Sequence, residues 1–180
     1  MEALECIKTR RSIRKFKENA VSKDTLTAIV EAASMSPSWK NTQIARYNIV
    51  ENADIKKDIA ENATLGFEHN CGIINGAPQL VVVSMVGMRC GYEKDGSFTT
   101  SKEDRWEMFD AGIASQTFCL AAHDMGVGSV IMGIFDEDVV AKAISLPEGE
   151  KVAALIAIGY PDQECVAPRR KTTDELMRVL

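Results

Sequence analysis

Ten consecutive residues near the start of the chain, positions 8 to 17, carry six cations and no acid: Lys8, Arg10, Arg11, Arg14, Lys15 and Lys17. A second basic knot, Arg169-Arg170-Lys171, lies near the other end. With these nine set apart from the 21 Lys and Arg, 12 remain elsewhere against 26 Asp and Glu. A basic focus on an acidic body suits a small anionic ligand better than a nucleic acid, which asks for a broad basic surface. Arginine forks present paired donors to phosphate oxygens and hold their charge at any working pH. Ser12 adds a hydroxyl between Arg11 and Arg14. From charge alone, a solvated charged face is an equal reading.

Other chemistries find little support. The two histidines, His69 and His123, are far apart in sequence and lack the neighbours of a zinc motif, so no metal site is expected. No Gly-x-Ser-x-Gly elbow is present, which argues against a hydrolytic triad. The five cysteines are scattered, odd in number and free of C-x-x-C pairs, as expected of reduced thiols in a cytoplasmic protein. The acidic opening residues do not resemble a secretory signal, and no apolar run is long enough for a membrane span. With no evident acid, base or nucleophile among the side chains, the pattern fits an enzyme whose cofactor carries the chemistry.

The elements that must hold these residues follow from periodicity. A 180-residue chain with 46% hydrophobic and 26% charged residues predicts one folded domain over 1–180. A short helix over 2–10 precedes the basic segment, and 11–20 is irregular. Ser22 is an N-cap for a helix to about Ser34, with Leu26, Ile29, Val30 and Ala33 on one face. Pro37 stops it, and Ser36 to Gln43 is a polar loop. Strands are expected at 47–50, 79–86, 128–132 and 152–158, the second and fourth apolar enough to be buried on both faces. Helices are expected at 53–65, 103–125, 136–144 and 173–180, and the glycine-bearing, polar stretch 87–102 as an exposed excursion. This order favours a three-layer α+β arrangement. A Rossmann fold is disfavoured because Gly126-x-Gly128-x4-Gly133 has the wrong spacing for the dinucleotide fingerprint.

Arg10-Arg11-Ser12-Ile13-Arg14-Lys15-Phe16, directly after a short helix, resembles the N-terminal signature of the nitroreductase family of FMN proteins. Ser36-Pro37-Ser38-Trp39-Lys40-Asn41-Thr42-Gln43 is similar to that family's second motif. Asp110-x-Gly112-x-Ala114-x-Gln116, Leu120-Ala121-Ala122 and Gly126-x-Gly128-Ser129 resemble its central helix and the strand that follows. Gly159-Tyr160-Pro161 and Pro168-Arg169-Arg170-Lys171 resemble its closing segments. The likeness runs in order from residue 2 to about 176.

The resemblance implies a central, mostly antiparallel sheet flanked by helices, in an intertwined homodimer with FMN at the interface. It implies that Arg10, Arg11, Ser12 and Arg14 hold the phosphate and ribityl chain, with Arg169, Arg170 and Lys171 assisting. Pro37, Ser38, Trp39 and Asn41 would come from the second protomer. Asn70 would hydrogen-bond the flavin, and Ile131, Met132 and Gly133 would pass beside its ring with a backbone N–H toward N5. The implied activity is hydride transfer from NADH or NADPH through the flavin to a nitroaromatic, quinone or similar small acceptor, in two half-reactions. Alternatives are reductive dehalogenation or flavin fragmentation on the same scaffold, and a flavin-binding protein without turnover. Ile44-Ala45-Arg46 replaces the proline and aromatic residue usual in the family, and Met132 stands where relatives often carry a polar or small residue. The excursion at 87–102 is expected to rim the acceptor site.

Overall fold

The molecule was described by a computed structural model of residues 1–180. Its centre is a four-stranded sheet in the order β1-β2-β4-β3, with β1 at Ala45–Val50, β2 at Gln79–Val86, β3 at Gly128–Met132 and β4 at Glu150–Gly159. Every neighbouring pair runs antiparallel. Alternation along the inner strands divides the core in two. Val81, Val83 and Met85 of β2 join Ile156 and Ile158 of β4 on one face, against Phe118, Cys119 and Ala122. Leu80 and Val82 join Leu155 and Ala157 on the other, with Ile59, Ile74 and Val140. A register shift at Val83/Ser84 lets Ala153 and Ala154 both turn to the first face.

The helices form the outer layers. α2 (Lys23–Ala33) and α5 (Arg105–Asp124) cover the first face; α3 (Ala53–Asp58), α4 (Glu68–Gly76) and α6 (Glu137–Ala143) cover the second. α1 (Ala3–Thr9) leans on α5, and α7 (Thr173–Leu176) is a single turn in an exposed tail. The caps follow the sequence: Ser22 accepts from Thr25 N at 3.2 Å, Asn52 opens α3, and Asp136 accepts from Asp138 N and Val139 N. This is the three-layer α+β arrangement expected, with three differences in detail. The last helix ends at Leu176. The 53–65 helix continues past Asp58 as a π turn, Ile59–Ala63. α4 was not anticipated. Along α5, Met108 and Phe109 remain more than half exposed.

Candidate cofactor site

The basic segment after α1 is not a free loop. Ile13 N donates to Ser129 O at 3.0 Å, and Ser12 bridges Ser129 in parallel, so the segment extends the sheet beyond β3. Lys17 N donates to Tyr160 O at 2.9 Å and Asp162 N to Lys15 O at 3.1 Å, tying it to the exit of β4 as well. Two glycines make room. Gly128 and Gly159 face each other across β3 and β4. A Cβ on Gly128 would stand 2.9 Å from Ile13, and one on Gly159 2.7 Å from the Pro78 ring and 3.1 Å from Phe16. The close approach that these glycines permit seats the whole segment.

Arg10, Arg11, Ser12 and Arg14 line one cavity of about 420 Å³, together with Cys165 and Arg170. A second, of about 460 Å³, shares Arg10 and Arg11 and adds Thr9, His123 and Ser129. Arg11 Nη1 is held by the carbonyls of Lys8 at 2.7 Å and Arg10 at 2.8 Å. Arg10 Nε is buried and has no partner. A buried donor left unpaired among cations is what an anion would complete. His123 Nε2 lies 2.9 Å from Thr9 Oγ1, and its pKa is lowered by burial first and then by the cations of Arg10 and Arg11. From the tail, the fold brings Arg170 to this cavity wall, while Arg169 and Lys171 are exposed near it in sequence. Gln163 Nε2 donates to Cys165 Sγ at 2.7 Å, which holds the tail's start against Ser12.

Ser36 to Gln43 forms a second, separate feature. It contains a single 3₁₀ turn, Trp39–Asn41, and three residues in the left-handed region: Lys40 (φ 45°), Asn41 (φ 56°) and Gln43 (φ 48°). Such residues concentrate where the surroundings impose a shape. Trp39 N donates to Asp110 Oδ2 at 2.8 Å and Gln43 N to Ser38 Oγ at 3.0 Å. Trp39 Nε1 and Thr42 Oγ1 are buried without partners. Pro37, Ser38 and Thr42 line a groove of about 430 Å³ with Arg46, Tyr47 and Asp110. Burial pushes the Tyr47 hydroxyl up to about 12, and it donates to Ala114 O at 3.2 Å.

The remaining candidates cluster at the end of β3. Met132 is buried, whereas Ile131 and Gly133 are exposed. Asn70, buried on α4, donates from Nδ2 to Ile134 O at 3.3 Å, which places it beside this strand end. The cradle lined by Arg10, Arg11, Ser12 and Arg14 and the 36–43 loop share no lining residue within one chain. Sequence reasoning passed over His123, Gln163 and Cys165 as part of the cradle. Only their positions in the fold, not their spacing, could reveal them.

A phosphorylated flavin fits what is present. Cations and a hydroxyl converge on one cavity, one of their donors is orphaned, and two more orphaned polar atoms lie in the strained loop. The chain matches the model of the nitroreductase family over residues 7–70 and 65–160, and it belongs to that family. It is 32% identical over 165 residues to a Methanothermobacter thermautotrophicus protein provisionally named NADH dehydrogenase/NAD(P)H nitroreductase, covering 89% of this chain and 78% of that one. It is 25% identical to the NADPH-flavin oxidoreductase of Vibrio harveyi, over 89% of this chain and 66% of the relative. Among solved structures it is similar to a nitroreductase family protein from Clostridium novyi NT, with a TM-score of 0.78, 31% identity and coverage of 90% and 86%. No helix is long and apolar enough to cross a membrane.

Proposed function

We propose that this chain is an FMN-dependent oxidoreductase that takes electrons from NADH or NADPH and passes them to a small acceptor such as a nitroaromatic or a quinone. One observation carries the reading: the Arg10–Arg14 segment is fastened to the edge of β3 with its cations around one cavity and Arg10 Nε buried and unpaired. What FMN supplies when bound is reversible two-electron chemistry, hydride in from the nicotinamide and electrons out to the acceptor.

The chain's own part is to bind, orient and exclude water. Arg10, Arg11 and Arg14, with the Ser12 hydroxyl, would hold phosphate and ribityl, helped from the tail by Arg170 and its neighbours Arg169 and Lys171. Met132 and Gly133 would offer backbone donors beside the ring, with Ile131 as an apolar wall and Asn70 as a side-chain donor. A fixed N–H there stabilises charge that grows on reduction without any titrating side chain. The reading includes a homodimer in which Pro37, Ser38, Trp39 and Asn41 of a second protomer close the site. Its support is the surface one chain leaves open. β1 pairs on one side only, Met108 and Phe109 are exposed on α5, and the apolar tail residues Val166, Leu176, Val179 and Leu180 are uncovered. Burying such apolar surface between copies also keeps bulk water from the reacting centre. We place the protein in the cytoplasm as one domain, with no nucleic acid or membrane partner; its five cysteines are all free thiols.

The test is an absorbance spectrum of the purified protein, reconstituted with FMN, before and after anaerobic NADH and then NADPH. Flavin bands that bleach, and recover on adding a quinone or nitroaromatic, are expected. Flavin that binds but stays oxidised under both donors would replace this reading with a flavin-sequestering one. No FMN binding would refute it.

A further inference from the structure

The excursion between β2 and α5 is a built structure. Glu93 N donates to Ser97 O at 2.8 Å and Thr99 N to Gly91 O at 2.9 Å, with Tyr92 and Phe98 paired between them. Asp95 Oδ1 holds the tip by accepting from Ser97 N at 3.0 Å. Its base is fastened to α5 by buried acids. Glu107 Oε1 accepts from Met88 N at 2.7 Å, and Asp110 Oδ2 accepts from the Cys90 thiol at 3.1 Å. Gly91, with φ +87°, packs so closely that a Cβ would meet Glu103 O at 2.5 Å. The excursion therefore has little freedom at its root.

The same Asp110 oxygen also accepts from Trp39 N, in the strained loop. One carboxylate oxygen thus joins two segments more than 40 positions apart in sequence, and it is buried on the central helix. Two contacts follow the same path. The Trp39 and Trp106 rings lie 5.0 Å apart, and Trp106 Nε1 donates to Thr100 Oγ1 at 2.8 Å. Lys40 Nζ reaches Glu93 Oε1 at 3.4 Å. Met88 and Glu103, at either end of the excursion, are left-handed like Lys40, Asn41 and Gln43. Both segments are held in conformations they would leave if released.

We propose that Asp110 is a positioning residue that couples the 87–104 excursion to the Trp39 loop, so that the excursion sets how the loop closes the flavin site and which acceptors enter. The proposal rests on the flavin reading above, since it takes the loop as the wall given to a neighbouring protomer's cofactor. Asp110 touches neither cofactor nor acceptor in this scheme. Its action passes through Trp39 N on one side and Cys90 on the other. A change at Cys90, remote from the cradle lined by Arg10–Arg14, reaches the cofactor through the contacts between the excursion and the Trp39 loop, of which the Asp110 tie is the one it breaks directly.

The test compares Cys90→Ala, which removes the donor, with Cys90→Ser, which keeps one, and with Asp110→Asn, which keeps an oxygen acceptor. Three readouts are taken on the full-length protein: FMN affinity by titration of the flavin-free form, acceptor KM against kcat, and near-ultraviolet circular dichroism. The chain has 2 Trp, Trp39 and Trp106, and they form the tilted pair with ring centres 5.0 Å apart, so the last readout needs no flavin. Cys90→Ala is expected to weaken the tryptophan signal, to raise the FMN Kd about three- to tenfold and to raise acceptor KM more than it lowers kcat, as the loss of one hydrogen bond to a charged acceptor predicts. Cys90→Ser and Asp110→Asn should recover most of each effect. If Cys90→Ala lowers Tm while FMN affinity, acceptor KM and the tryptophan signal stay at wild-type values, the residue is only structural and the proposal is overturned. If wild-type protein binds no FMN, the flavin reading fails by itself, and an unchanged tryptophan signal in Cys90→Ala still overturns the coupling.

Discussion

Gly128→Ala is the substitution whose outcome the structure fixes most closely. The added methyl would stand 2.9 Å from Ile13 Cβ and Cγ1 and 3.0 Å from Cγ2. Carbon atoms rest at about 3.5–4.0 Å, so Ile13 must withdraw by roughly 0.6–1 Å. Ile13 is β-branched and packed into the core behind the sheet, which leaves its side chain no easy rotamer escape. Withdrawal of the backbone instead stretches Ile13 N–Ser129 O from 3.0 Å past hydrogen-bond range. Overpacking costs about 1–3 kcal/mol and the lost bond about 0.5–1.5 kcal/mol. A loss near 3 kcal/mol lowers Tm by about 6–12 °C in a chain of this size. The segment that moves carries Arg10, Arg11 and Arg14, so FMN affinity should fall by about tenfold or more, the loss of one charge-assisted contact.

Denaturant unfolding and FMN titration on the same preparation check both halves. Gly72→Ala is the control, because Gly72 lies on the exposed side of α4 and a Cβ there meets nothing within 4 Å; it should stabilise by about 0.5–1 kcal/mol. In the double variant with Ile13→Ala the penalties should be less than additive, since both act on one contact. Wild-type stability in Gly128→Ala would refute the packing argument. Reduced stability with unchanged FMN affinity would refute the claim that this contact seats the cradle.

Other expectations follow from single interactions. Arg10→Met removes the orphaned donor and should raise the FMN Kd about 10- to 100-fold, with a weaker salt dependence than wild type in the same titration. The pKa of Lys151 is raised above its ordinary 10.5, chiefly by its hydrogen bond to buried Glu107. The stability this pair contributes is therefore full below pH 10.5 and lost as pH climbs through the raised value, so the Tm gap between wild type and Lys151→Met should close there. His123 is displaced in the opposite direction, below 6.5, so its neutral form favours the fold and stability should fall as pH drops through 6.5. An anion on Arg10 and Arg11 cancels part of that displacement, so inorganic phosphate or FMN should move the His123 ring titration upward by NMR; no movement would separate His123 from the anion site.

The parts of this structure that could be foreseen are those where local pattern and tertiary role agree. The Leu80–Val83 run predicts a strand buried on both faces, and each of its residues is fully buried. Ser22 and Asp136 predict helix starts and cap them. α4 escaped because Asn70, Gly72, Asn75 and Gly76 are poor helix formers, and its stability comes from burying Ile73, Ile74 and Asn70. The sequence places the excursion only as an exposed stretch, without its anchors, because Glu107 and Asp110 belong to the next helix and spacing gives no sign that they turn inward to it. In the tail, no regular element spans 164–172, so no periodicity could tell that Arg170 meets the cradle rather than Arg169 or Lys171.

The two halves of the candidate site are finished to different degrees, and the difference has a physical meaning. The cradle is assembled within one chain, pinned by backbone bonds to β3 and to the exit of β4. The Trp39 loop is shaped but incomplete. Lys40 and Gln43 hold left-handed backbones at about 1–3 kcal/mol each, a large share of a typical net stability of about 5–15 kcal/mol. Trp39 Nε1 and Thr42 Oγ1 are buried yet unsatisfied, and folded proteins rarely leave such groups without partners. A lone chain would lower its free energy by relaxing the loop, were Asp110 and the Ser38 hydroxyl not holding it. The strain becomes favourable only when a surface outside the chain meets those orphaned donors. In the homodimer proposed above, formation of the site and association of protomers are one equilibrium, so cofactor affinity is expected to depend on protein concentration wherever that dimer begins to dissociate.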